Sequence, residues 1–295
     1  MRVKSRCLLL LTLVFTLCYT AAQRWGRWSD GYIPNPDSIR TARDVPSHSN
    51  ETPMWTNTPG FQKDVFTFTR VRYERASYGS RTAGEWSTDF PDSDLNLSYR
   101  LQELTSIKVD PDARVINLTD KDLFRYPWIY MVEPGRLALE EKEVPILRQY
   151  LLNGGFLMAD DFWGEVQWEN FASEMKRVLP DGQWVDLPMT HPVFHGVFDL
   201  KLSKNEMQVP NYMTGSRSQS PPHVTWEYHD GEECIEVHFR AIFDSKGRMI
   251  VMACHNTDNG DGWERETEDD YFFRNFSEKI SYPLGINIIF YSMTH

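Results

Sequence analysis

From residue 114 to residue 188 the chain alternates between two hydrophobic periods, and that alternation limits its fold more than any other feature. "RVINL" (114–118), "WIYMVE" (128–133), "FLMA" (156–159) and "QWVDLP" (183–188) are short apolar runs of strand length. Helical patterns separate the later runs. In "EEKEVPILRQYLLNGG" (140–155), Val144, Leu147 and Leu151 share one face and acids crowd the first turn. Gly154 and Gly155 stop the helix. In "EVQWENFASEMKRVL" (165–179), Phe171, Met175, Val178 and Leu179 line one face. Strands that alternate with helices predict a mostly parallel sheet covered by helices, a three-layer α/β fold of the flavodoxin-like kind.

The flanking segments extend this pattern. "DVFTFTRVRY" (64–73) alternates like a strand. "DFPDSDLNLSYRLQEL" (89–104) predicts a helix capped by Asp92 or Ser93, with Leu97, Leu101 and Leu104 at helical spacing. "CIEVHFRAIF" and "RMIVMAC", joined by "DSKGR", predict an added antiparallel hairpin. "YPLGINIIFYSMTH" predicts a docked final helix.

Residues 1–22 are of another kind. Arg2, Lys4 and Arg6 precede an apolar run from Leu8 to Leu17, and Thr20, Ala21 and Ala22 supply small residues before Gln23. This is the pattern of a secretory signal peptide, with an uncleaved N-terminal anchor as the alternative. The chain is therefore expected to be exported, periplasmic or extracellular, with no membrane span after cleavage. Residues 23–60, rich in Pro, Ser, Asn and Thr, are expected to form an extended arm, and residues 61–295 a single α/β domain.

Removing residues 1–22 leaves 28 basic residues against 42 acidic and moves the formal charge from −11 to −14. Such a surface repels nucleic acid phosphates, so no nucleic acid partner is expected. Cleavage also leaves Cys234 and Cys254, which flank the hairpin. An oxidising compartment permits a disulfide between them if the register is right, and otherwise they are buried thiols.

Ligands of open parallel sheets bind beyond the carboxyl ends of the strands. That rule collects Trp86, Asp89 and Asp92 after the first strand, Asn117, Thr119 and Asp120 after the second, and Glu133 and Arg136 after the third. Asp160 and Asp161 follow "FLMA", His191 and His195 come later, and His255, Asn256, Asp258 and Asp261 end the chain's last strand. "HNTDNGDGWERE" offers Asn256, Asp258, Asp261 and Glu264 as hard oxygen ligands. This set suits calcium without matching the EF-hand spacing, and a polar turn with Asp258 in an Asx turn is the plainer reading. Asp161 has a plain reading too, as the cap of the helix that begins near Glu165. His255 is either a satisfied structural histidine or a catalytic partner of Asp160 and Asp161. Trp86, Trp163 and Trp263 are expected at the rim, where aromatic faces suit sugar rings, although core packing is the default for tryptophan. A shared cation site requires the Asp160 or Asp161 carboxyl within about 8 Å of Asp258 or Asp261.

The segments "WSTDFPDSDLNLSYRLQELT", "YPWIYMVEPGR", "LRQYLLNGGFLMADDFWGE", "HPVFHGVFDLK", "FDSKGRMIVMACHNTDNGDGWERE" and "YPLGINIIFYSMTH" resemble a bacterial family described as domain of unknown function 4159, over roughly residues 61–295. The resemblance implies a fold similar to class I glutamine amidotransferases. "HPVFHG" and "GRMIVMACHN" are more loosely similar to trehalose-utilisation-type domains of that fold. In amidotransferases a cysteine occupies the strand-to-helix turn. Here that turn reads "MADDFWG", so thiol chemistry is not expected. Three functions remain open. One is a module of the cell envelope that binds a small molecule or an envelope protein. Another is a hydrolase of small or saccharide-like substrates using carboxylates or a divalent cation, and the third is a domain that has kept the fold and lost the chemistry.

Overall fold

The computed structural model describes residues 35–48, 52–60, 64–77, 80–227 and 231–295. Residues 1–38 form one unit, in which the described part is a single 3-10 turn, Pro36–Ser38. Residues 39–295 form a second, compact unit. The signal-peptide pattern of residues 1–22 lies outside the described residues. No helix among the described residues is long and apolar enough to cross a membrane.

Nine strands are described: β1 (Thr69–Arg72), β2 (Glu74–Ser77), β3 (Ser80–Ala83), β4 (Arg114–Asn117), β5 (Trp128–Val132), β6 (Phe156–Phe162), β7 (Trp184–Asp186), β8 (His238–Phe243) and β9 (Met249–His255). Seven make one sheet in the order β4-β1-β5-β6-β9-β8-β7, and β2 and β3 form a separate hairpin. From β4 to β9 every neighbour is parallel, while β8 and β7 add to β9 antiparallel. The parallel strands, taken in chain order, sit as 2-1-3-4-5, the doubly wound flavodoxin-like arrangement.

The continuous apolar runs explain which strands are central. Every residue of β5, β6 and β9 is buried, as a parallel strand covered on both faces requires. Helices α1 (Asp92–Leu104), α5 (Asn259–Glu264) and α6 (Tyr282–Thr294) pack together over one face. Helices α2 (Glu143–Leu152) and α3 (Gly164–Val178) cover the other. The short α4 (Tyr212–Arg217) belongs to the long connection before β8. On the first face Phe68, Trp128, Tyr130 and Trp263 form one aromatic cluster, with Phe68 and Trp128 ring centroids 4.9 Å apart. Helix α6 continues a π-helical stretch, Phe273–Ser281.

Local details depart from the sequence expectations for clear reasons. Asp92 lies inside α1 and does not cap it. Its carboxylate accepts from the Ser47 hydroxyl and from the His48 backbone at 2.7 Å, so it ties the arm to the domain. The arm is docked elsewhere too. Trp55 Nε1 and Asn57 Nδ2 both donate to the Val109 carbonyl, at 2.9 and 2.8 Å. Cys234 and Cys254 form no disulfide. Cys254 faces Phe239 across the β8–β9 pair, and Cys234 lies farther back, in the turn Glu232–Cys234, so register keeps the two buried thiols apart.

Candidate functional site

The strand β6 continues through both acids of "MADDF", and their roles separate at one irregularity. The register with β9 shifts between Ala159 and Phe162, and Asp161 takes a left-handed backbone, φ +56°. Such a bulge inserts a residue and re-aims the side chains beside it. Asp160 stays inward and fully buried. Its Oδ2 accepts from the Tyr130 hydroxyl (3.1 Å) and from the backbone N–H groups of Asn259 (3.0 Å) and Gly260 (3.1 Å). Its Oδ1 accepts from Asn259 Nδ2 (2.8 Å). Burial pushes this carboxyl up to about 7, and the hydrogen bonds oppose the rise.

Asp160 thus satisfies two free N–H groups at the start of α5, and Asp258 takes the third by accepting from Asp261 N at 2.8 Å. Asp161 does not cap α3. The residue before that helix is Trp163, whose indole N–H donates to Asp161 Oδ1 at 2.8 Å.

Asp161 faces a cavity of about 360 Å³ at the carboxyl ends of β5, β6 and β9. Asp89, Glu133, Asp258 and Asp261 line it as well. Three of these acids, Asp89 (φ +61°), Glu133 (φ +45°) and Asp161, hold left-handed backbones, so three strained positions converge on one cavity. Carboxylate oxygens of Asp89, Asp161 and Asp258 all lie within 4.8 Å of one another, and so do those of Asp89, Asp261 and Glu264. The distance required for a shared cation is therefore met by Asp161 with Asp258.

Burial first, and then like charge nearby, holds these carboxyls up. Asp89, Asp161 and Asp258 are all raised well above the usual range, with Asp261, Glu133 and Asp161 as their respective leading neighbours. Burial and Glu85 push Glu133 up to about 7. The two groups of acids differ in one respect. Arg265 Nε sits 2.6 Å from Glu264 Oε2 and 3.7 Å from Asp261 Oδ1, so a built-in cation serves the second group. No side-chain cation is bonded to Asp161 or Asp258 among the described contacts. Asp89 Oδ2 is buried and has no hydrogen-bond partner among the described residues. A Cβ on Gly260 would fall on that same oxygen, which is why the turn carries glycine there.

Asp89 itself is held from below. Arg70 is fully buried and pairs with Asp94, Nε lying 2.9 and 3.0 Å from its two oxygens. Its Nη1 donates to the carbonyls of Trp86 and Thr88, both at 2.9 Å. The guanidinium therefore fixes the loop that presents Asp89.

The other sequence candidates lie elsewhere. His255 is buried outside the cavity, where Nε2 meets the Gly164 carbonyl at 3.0 Å and Nδ1 meets Arg240 Nη1 at 3.0 Å. Burial lowers it to about 3, so it is a neutral structural residue and not a partner of Asp160 or Asp161. Trp263 is fully buried against Phe68 and Tyr130, and Trp86 packs on Phe90 beneath Arg72. Neither reaches a rim, because the aromatic cluster claims Trp263 while Phe90 and Arg72 cover Trp86. Trp163 alone of the three lines the cavity. His191 bonds to the Val193 backbone, and His195 bridges Asp199 and the Met189 carbonyl.

Five lining residues escape the strand-end rule: Thr88 beside Asp89, Gln167 on α3, Asn211 and Glu227 in the connection before β8, and Arg265 after α5. Only the charge of Glu227 and Arg265 distinguishes them in the sequence, and neither falls in a periodic segment.

No curated protein matches the chain. The family model described as domain of unknown function DUF4159 matches residues 67–293, which span the whole sheet and every acid of the cavity, and the chain belongs to that family.

Proposed function

We propose that this chain is an exported ligand-binding α/β domain whose cleft holds a divalent cation on Asp89, Asp161 and Asp258. The observation that carries the reading is Asp89, whose carboxylate belongs to both groups of converging acids and whose buried Oδ2 has no hydrogen-bond partner among the described residues. A buried charge without a partner costs several kcal/mol, and a cation removes that cost. Oxygens within 4.8 Å of one another fit around an ion with ligands at about 2.4 Å, the calcium distance.

The signal-like pattern of residues 1–22 supports export. Extracellular calcium modules work with Kd values of about 10⁻⁴ to 10⁻³ M, a range that three carboxylates on a preformed scaffold can supply. Arg265 argues for one ion rather than two, because it already neutralises Glu264 and Asp261. The test is thermal unfolding of the mature chain in millimolar calcium and in chelator. Saturation at one hundred times Kd is worth about 2.7 kcal/mol. An unchanged Tm with calcium, magnesium, manganese and zinc would overturn the proposal.

A further inference from the structure

A second cavity, of about 300 Å³, adjoins the acidic one, and Trp163 and Gln167 line both. The two therefore form one groove with a common wall at the start of α3. Their chemistry differs. The inner part is rich in carboxylates. The outer part is mixed, with Arg136 and Asn170 beside Ala76 and Val166, a residue 77% exposed.

We infer that this groove binds a neutral oligosaccharide, two hydroxyls of one ring meeting the cation and a second ring lying along Trp163 and Val166. The inference rests on the cation reading above and adds the class of ligand. Three protein carboxylates leave part of a six- to eight-fold calcium shell to waters or to a ligand's oxygens. In the inner cavity the excess of acids over the single Arg265 repels phosphates, sulfates and carboxylates. The same acids accept hydrogen bonds, so they favour a ligand rich in hydroxyl donors. Asp89 lines the inner cavity, and its Oδ2 is buried with no hydrogen-bond partner among the described residues. Apolar Trp163 and Val166 beside the amides of Gln167 and Asn170 match the alternating C–H and O–H faces of a sugar. Two adjoining spaces of about 360 and 300 Å³ give room for more than one ring.

The mature chain is applied to a printed array of neutral, anionic and amine-bearing saccharides of one to six rings, in calcium and in chelator. Calorimetry with the cation alone runs in parallel. The expected result is retention of at least one neutral oligosaccharide in calcium, lost in chelator and in Asp161→Asn. Val166→Asp, an exposed position outside the carboxylate cluster, is expected to weaken that oligosaccharide about tenfold and to leave calcium affinity within twofold. An empty array with calcium binding intact overturns the saccharide inference and leaves the cation reading standing. Retention that ignores chelator, or that is confined to anionic or amine-bearing sugars, overturns it as well. Absence of binding by calorimetry with calcium, magnesium, manganese and zinc in turn overturns both.

Discussion

Asp160 is bonded twice to Asn259, a residue 99 positions later, through the backbone N–H at 3.0 Å and the side-chain amide at 2.8 Å. This pair fastens the carboxyl end of β6 to the start of α5, and so sets where Asp258 and Asp261 stand relative to Asp161. Asp160→Ala leaves the Tyr130 hydroxyl, two backbone N–H groups and an amide without their acceptor. The expected loss is about 3–5 kcal/mol of folding stability, read by urea denaturation, the range for breaking a buried charged network. A loss under about 1 kcal/mol would show that the Asp160 network is not structural.

Asp161→Asn is expected to behave in the opposite way. The wild-type cluster without a cation is under like-charge stress, with Glu133 as the leading neighbour of Asp161. Removing one charge should raise the stability of the cation-free protein by about 1 kcal/mol while abolishing its response to calcium. Differential scanning fluorimetry with and without calcium reads both effects. A variant less stable than wild type in chelator would contradict this account.

Arg70→Lys tests the support beneath Asp89. Lysine keeps the charge near Asp94 but cannot serve both oxygens and two carbonyls at once. The expected cost is about 3 kcal/mol in chemical denaturation, with calcium affinity reduced severalfold because the Thr88–Asp89 loop loosens. Wild-type calcium affinity in this variant would separate Arg70 from the site.

His255 gives the acid limb of stability. Its folded pKa is lowered to about 3 by burial, while the unfolded chain takes up a proton near the usual histidine value of about 6.5. The unfolded state therefore binds the extra proton between these values, and the stability His255 permits is complete above about 6.5. It falls by up to about 1.4 kcal/mol for each pH unit below that, until the folded pKa is reached. Denaturation midpoints of wild type and His255→Gln, followed from pH 7.5 to pH 4.5, should converge as pH falls. Parallel curves would refute the assignment.

Much of this structure is legible in the sequence, and the rest is hidden for identifiable reasons. The change of period at Gly154–Phe156 locates β6, and the strand-end rule gathers Asp89, Glu133, Asp161, Asp258 and Asp261 from the sequence alone. The rule works because parallel strands share one carboxyl edge. It fails for Asp160, since a bulge is a property of the pairing with β9 and leaves no mark in local periodicity. It fails for the tryptophans because burial depends on partners such as Phe68 and Tyr130, which are distant in the chain. The alternation of residues 64–73 assigns Arg70 no role, and only the position of Asp94 on α1 shows what it holds.

The bulge in β6 also makes the two aspartates a matter of parity. In a regular strand neighbours face opposite ways, so the count of residues between Ala159 and Phe162 decides which acid looks inward. Losing one residue there would leave the composition of the segment almost untouched and would exchange scaffold for cleft. A chain aligned by similarity alone would show such a relative as nearly identical, with a carboxylate still in place. Counting across this one strand, rather than matching its letters, tells which relatives keep the same pair of tasks.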